Sequence, residues 1–259
     1  MKHAQVLFQG AVHSATERDG HLWLETGPQR GQAVGHGAVT WLPPLKPTPR
    51  PRTILALGLN YADHAKELEF KAPEEPLVFI KGEGSLIGHR QNTIRPKAVG
   101  FMHYECELTV VVGKTAKKVQ RDDAYDFIAG YTVANDYAIR DYLENWYRPN
   151  LRVKNRDGGT VLGPWLVSAD EVPDPQALAL RTTVNGRVVQ QGHTSNMVHT
   201  VAALIEYLSD FMTLAPGDII LTGTPEGTVN CNAGDEIACE IDGIGRLVNT
   251  LVADTPPAA

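Results

Sequence analysis

The chain has 259 residues, 42% of them hydrophobic and 21% charged, enough for one large domain or two small ones. A net charge of −6 argues against a nucleic-acid platform, which carries a basic stripe. No apolar run reaches the ~18 residues of a membrane helix, and residues 1–8 lack the apolar core of a secretory leader, so a cytoplasmic location is expected. Alternation at 5–8, 22–24 and 38–42 predicts short strands. Pro43, Pro44, Pro47, Pro49 and Pro51 follow, a stretch that cannot be helix or central strand. It reads as an extended linker, dividing a small N-terminal β unit (1–50) from a main domain (51–259). Beyond it, β-branched runs bounded by Gly, Pro, Asn or Asp predict strands at 53–58, 77–81, 105–113, 130–134, 178–184, 218–222, 236–241 and 245–252. Helical periodicity marks 61–70, 138–145 and 198–211, the last through Val201, Leu204, Ile205, Leu208 and Phe211. Asn185-Gly186 between apolar runs signals a hairpin. Strands outnumber helices and do not alternate with them, which predicts a mostly β fold with peripheral helices (α+β). Cys106, Cys231 and Cys239 are odd in number and form no CxxC, so no zinc knuckle or disulfide framework is expected, and Cys106 and Cys239, in apolar strand-like runs, read as small buried hydrophobes.

The strongest chemical signal is His103-Tyr104-Glu105-Cys106-Glu107, leading into Leu-Thr-Val-Val-Val. In a strand, Glu105 and Glu107 share a face. A solvated face would explain two glutamates, but the continuous apolar run indicates a strand covered on both sides. Carboxylates converging in the interior require a compensating cation, and no Lys or Arg lies within four residues on this strand, which points to a divalent metal. Asp136 ends the run Gly130–Asn135 before a helix-like segment, as either a helix N-cap or a third ligand. An all-oxygen set selects Mg²⁺, Mn²⁺ or Ca²⁺ over zinc. His64 and Glu67 are spaced i, i+3, as an exposed pair or as a base with its orienting carboxylate. Residues 69–75 are charged and proline-bearing, which suits a lid. Arg140 and Lys154 are candidate counter-charges. The loop 222–227 (TGTPEG), at the end of the turn and strand 214–222, is either a plain turn or a cradle of small hydroxyls and backbone amides for an anion.

Together GLNYADHAKE (58–67), PLVFIK (76–81), HYECEL (103–108), NDYAIRD (135–141), Lys154 with its following DGG and GPW, and LAPGDIILTGTPEG (214–227) resemble the fumarylacetoacetate hydrolase family, from about Ile54 to Val252. The resemblance implies a mixed β-roll, with a divalent ion on Glu105, Glu107 and Asp136. It places Arg140 and Lys154 beside that ion, makes His64–Glu67 a catalytic dyad, and puts Tyr147 and Thr224 at the substrate. The segments around Glu105 and Asp136 are most similar to members that decarboxylate 5-oxopent-3-ene-1,2,5-tricarboxylate and isomerise 2-hydroxyhepta-2,4-dienedioate in 4-hydroxyphenylacetate degradation, through a metal-chelated enolate. The substrate expected is thus a small dicarboxylate or tricarboxylate 2-oxo acid, with a homodimer or a homologous sister subunit as the working assembly. Acylpyruvate hydrolysis or oxaloacetate decarboxylation is the alternative within the family, and a non-catalytic partner subunit the alternative outside enzymology.

Overall fold

Strand-forming residues dominate the computed structural model, which describes residues 1–67, 73–143 and 151–254. A twelve-stranded sheet runs, in spatial order, Ala33–Gly35, His21–Leu24, Ala11–Arg18, Lys2–Phe8, Thr160–Ser168, Ile128–Asp136, Cys106–Val112, Ile219–Leu221, Ile54–Gly58 and Leu77–Lys81, with Thr40–Leu42 and Leu86–Gly88 joining off this path. A five-stranded sheet runs Arg187–His193, Ala179–Val184, Glu236–Ile241, Gly245–Ala253 and Asn92–Arg95. Both contribute to one apolar core, Leu108, Val110 and Val133 from the first and Leu180, Ile237, Cys239 and Leu247 from the second. Each such side chain stabilises the fold by roughly 1.5–3 kcal/mol relative to exposure. All three cysteines are buried and free.

Every residue of Cys106–Val112 is buried. Cys106, Leu108, Val110 and Val112 enter the main core, while Val111, on the opposite face, packs with Ile54, Ala56 and Leu221 in a second cluster. The strand is therefore covered on both sides, as its unbroken apolar run predicts. The helix Val201–Phe211 buries Val201, Leu204, Ile205 and Leu208, and its N-terminus is capped by the Thr200 hydroxyl, which accepts from the Ala203 N–H. Phe211 departs from the periodic reading: it stays exposed and packs edge-on against Tyr207.

One sequence expectation is corrected, one is met as far as the described residues reach, and one strand was not expected. The helix expected at 138–145 is instead a short strand, Ala138–Ile139, paired with Met102–His103 and followed by a 3₁₀ turn, Arg140–Tyr142. Tyr137, Ala138 and Ile139 are consecutively buried, so no helical stripe exists there. The helix expected at 61–70 is described over Ala62–Glu67, and residues 68–70 lie outside the described residues. The strand Thr160–Ser168, which Pro164 interrupts, was not expected. Its pairing with Ile128–Asp136 shifts register between Tyr131 and Val133, and a proline is tolerated at such a bulge.

The N-terminal strands enclose their own cluster around Val6, Leu22, Leu24 and Trp41. They join the large sheet through Lys2↔Val167 and His3↔Leu166. No strand lies between Leu42 and Ile54, where the prolines fall. Among the described residues no helix is long and apolar enough to cross a membrane.

Candidate active site

The floor of the site is built by strand register. Cys106 pairs with Asn135, and the Asp136 N–H donates to the Glu105 carbonyl at 2.9 Å, so Asp136 stands opposite Glu105. Asp136 is the last residue of a strand and caps no helix. Ligand oxygens of Glu105, Glu107 and Asp136 all lie within 4.8 Å of one another, and all three residues are buried. The Glu107 Oε2 accepts from the Gly223 N–H at 2.6 Å, while its Oε1 is buried without a partner. Gly223 is required there: its φ is +90°, and a Cβ would stand 3.1 Å from the Cβ of Asn60. Asn60 in turn donates to the carbonyls of Thr222 and His199, bracing the same loop.

Two lysines enter this acidic cluster. Lys154, at the end of the short helix Leu151–Lys154, places its Nζ 2.5 Å from Glu105 Oε2 and 2.9 Å from Asp136 Oδ2. Lys81 was not expected. Its fully buried Nζ lies 2.7 Å from Asp136 Oδ1 and donates to the Lys154 carbonyl. The signal for it was present in PLVFIK, where alternation puts Lys81 on the buried face with Phe79. Arg140 approaches Glu105 to 3.9 Å from the solvent side. His103 donates from Nδ1 to the Tyr104 carbonyl, and its buried Nε2 lies 3.8 Å from Glu105.

Burial alone would raise the Glu105 carboxyl, yet Lys154, His103, Arg140 and His64 together hold it down at about 2. Burial, with Asp136 and Glu105 beside it, pushes the Glu107 carboxyl well above the usual range. Burial would likewise lower Lys154, but the three carboxylates raise it, whereas for Lys81 burial prevails and lowers it. Burial depresses His103 to about 3, leaving a neutral imidazole. An anionic cluster with an unpartnered buried Glu107 oxygen and only oxygen donors fits a hard divalent cation.

The rim is carried by the helix Ala62–Glu67. His64 is buried, and its Nδ1 lies 2.8 Å from Glu67 Oε2. The other Glu67 oxygen accepts from the Gly227 N–H at 3.0 Å. In the loop 222–227 the Gly223 and Gly227 amides serve the chain's own carboxylates, while Thr224 faces the pocket. One pocket is lined by His64, Glu105, Arg140, Lys154 and Thr224, which unites five of the expected site residues. Glu67 orients His64 from behind, and Glu107 and Asp136 lie fully buried. Tyr147 and residues 69–72 of the expected lid lie outside the described residues.

A sequence profile of the fumarylacetoacetate hydrolase C-terminal region matches residues 53–252. A bifunctional isomerase/decarboxylase of 4-hydroxyphenylacetate degradation from Salmonella dublin is 58% identical over 202 residues, 78% of this chain and 47% of that protein. The chain thus spans about half the length of the curated relatives it matches first. Among solved structures, a 5-carboxymethyl-2-hydroxymuconate delta-isomerase from Mycobacterium smegmatis is 35% identical with a TM-score of 0.83, covering 99% of this chain and all of its own. A maleylpyruvate hydrolase from Sphingobium, solved with manganese(II) and pyruvate, is 25% identical with a TM-score of 0.81, covering 98% of this chain and all of its own. The chain belongs to the fumarylacetoacetate hydrolase family.

Proposed function

We propose that the chain is a divalent-cation-dependent decarboxylase and isomerase, acting on 5-oxopent-3-ene-1,2,5-tricarboxylate and 2-hydroxyhepta-2,4-dienedioate in 4-hydroxyphenylacetate degradation. The observation that carries this reading is the buried carboxylate trio whose Glu105 meets Lys154, Arg140 and His64 at one pocket, with Glu107 and Asp136 behind it. The similarity to the Salmonella isomerase/decarboxylase supports the choice of substrate. The reading includes a cytoplasmic location and an assembly as a homodimer or with a homologous sister chain.

Glu105, Glu107 and Asp136 would hold the ion, magnesium or in its place manganese or calcium. When bound, it would supply Lewis-acid polarisation of a 2-oxo acid's oxygens. Arg140, the more exposed of the pocket cations, is placed to bind a substrate carboxylate. Loss of CO₂ leaves an electron pair that the conjugated chain carries to the 2-oxo oxygen, and Lys154 provides a preformed positive charge for it. His64, with Nδ1–H donating to Glu67, keeps its Nε2 lone pair free to take and return a proton in the dienol-to-enone shift.

The test is purified protein with the tricarboxylate and Mg²⁺, followed by ultraviolet absorbance and CO₂ release, with an EDTA control. Metal-dependent CO₂ release is expected. Turnover of acylpyruvates or oxaloacetate alone would move the assignment to the other family chemistries. Metal binding without turnover of any of them would favour a non-catalytic partner subunit.

A further inference from the structure

Thr224 lines the pocket, but what its hydroxyl can do there is decided one layer deeper, in the second sheet. Gln190, on Arg187–His193, is buried, and its side chain forms three hydrogen bonds. Its Nε2 donates to the Pro225 carbonyl at 2.8 Å and to Thr224 Oγ1 at 3.0 Å. Its Oε1 accepts from the hydroxyl of Thr182, the residue paired with it across the neighbouring strand, at 2.8 Å. The Pro225 carbonyl can only accept, so the Gln190 amide can face it only with its nitrogen. The second amide proton therefore goes to Thr224, whose oxygen acts as the acceptor. A threonine hydroxyl has one proton, and here that proton is left for a partner in the pocket.

The seat for this loop is prepared by small residues. A Cβ on Gly192 would stand 2.5 Å from the Pro225 ring, and a Cβ on Gly227 would stand 3.1 Å from the Val189 carbonyl oxygen. Residues 224–227 thus lie directly on the Arg187–His193 strand. Their far end supplies the Gly227 N–H that holds Glu67.

We infer that Gln190 is a positioning residue that fixes the Thr224 hydroxyl as an obligatory hydrogen-bond donor to an anionic oxygen of the pocket's ligand. The inference rests on the reading that the pocket takes a 2-oxo acid. A donor so aimed favours a carboxylate or enolate oxygen and disfavours a ligand group that can only donate at that point, such as an ammonium.

The experiment is a double-mutant cycle in the Mg²⁺-loaded protein, comparing wild type, Gln190→Met, Thr224→Val and the double variant. Two readouts are taken, kcat/KM on the tricarboxylate and the calorimetric affinity for oxalate, with Tm measured alongside. Thr224→Val is expected to weaken both by about tenfold or more, the loss of a hydrogen bond to a charged group. Gln190→Met should act in the same direction, and the double variant should be no worse than Thr224→Val. Thr224→Ser should retain wild-type behaviour. Should Gln190→Met not fold, Gln190→Glu keeps the size, has no N–H to donate at neutral pH, and should show the same loss. Losses that multiply in the double variant, or a Gln190 variant indistinguishable from wild type, would overturn the relay. A wild type inactive on the tricarboxylate overturns the substrate assignment instead, and oxalate binding then still reads the relay.

Discussion

The floor and the rim of the pocket hold charge in different ways. On the floor, three carboxylates and Lys81 sit at or near the ends of paired strands, joined by Lys154 from a short helix, almost without solvent. Register alone sets Asp136 against Glu105, and removing Lys154 leaves both carboxylates in the interior short of the charge they share. On the rim, His64 and Glu67 lie on a helix of six residues, and Glu67 is 30% exposed. That pair is oriented by one imidazole contact and one backbone amide, the latter borrowed from the distant Gly227. The contrast separates the two tasks: the rigid floor suits holding an ion, and the rim suits moving a proton.

If that division holds, Glu107→Ala has the largest effect, abolishing both calorimetric metal binding and turnover. Full activity in that variant would break the comparison outright. Lys154→Met comes next. It leaves Glu105 and Asp136 without their shared ammonium and should destabilise the metal-free protein by about 3–5 kcal/mol in chemical denaturation. On the rim, His64→Gln should lower kcat by about 10²–10⁴-fold while leaving metal affinity intact. A large loss of metal affinity instead would move His64 to the floor.

His89 sharpens the comparison from outside the site, as a buried titrating group without a counter-charge. Burial, helped by Arg90, His36 and Arg246, lowers it to about 3 from an ordinary value of 6.5. The unfolded chain therefore binds the extra proton between those values. The stability His89 contributes is complete above about pH 6.5 and is lost as pH falls toward 3. His89→Asn should flatten the fall of Tm between pH 6.5 and 4. The smallest effect is expected at the surface: Arg121 and Glu206 pair at 2.6 Å with much of each side chain exposed. Arg121→Ala should cost less than about 1 kcal/mol, although the distance resembles those on the floor.

Much of the site could be read from residue order. Alternation put Glu105 and Glu107 on one face, and the apolar run after them announced that the face was covered. What spacing could not supply was the partners. Lys81 lies 55 residues before Asp136 in the chain and looked like the end of an ordinary strand. Gln190 belonged to a hairpin recognised only by its Asn185-Gly186 turn. The reading of 138–145 as helix failed because periodicity over so few residues cannot weigh a strand partner such as Met102–His103.

By itself the sequence determined the strand-rich class, the covered strand carrying two glutamates, and the i, i+3 dyad. Each follows from local periodicity and backbone geometry. Only the tertiary structure decided which charges neutralise the carboxylates and which amides hold Glu107 and Glu67. It also decided which side chain donates to the Thr224 hydroxyl oxygen. Those outcomes depend on groups brought together by sheet register across long stretches of chain. In a buried site, a charge or hydroxyl is defined by the partner that satisfies it.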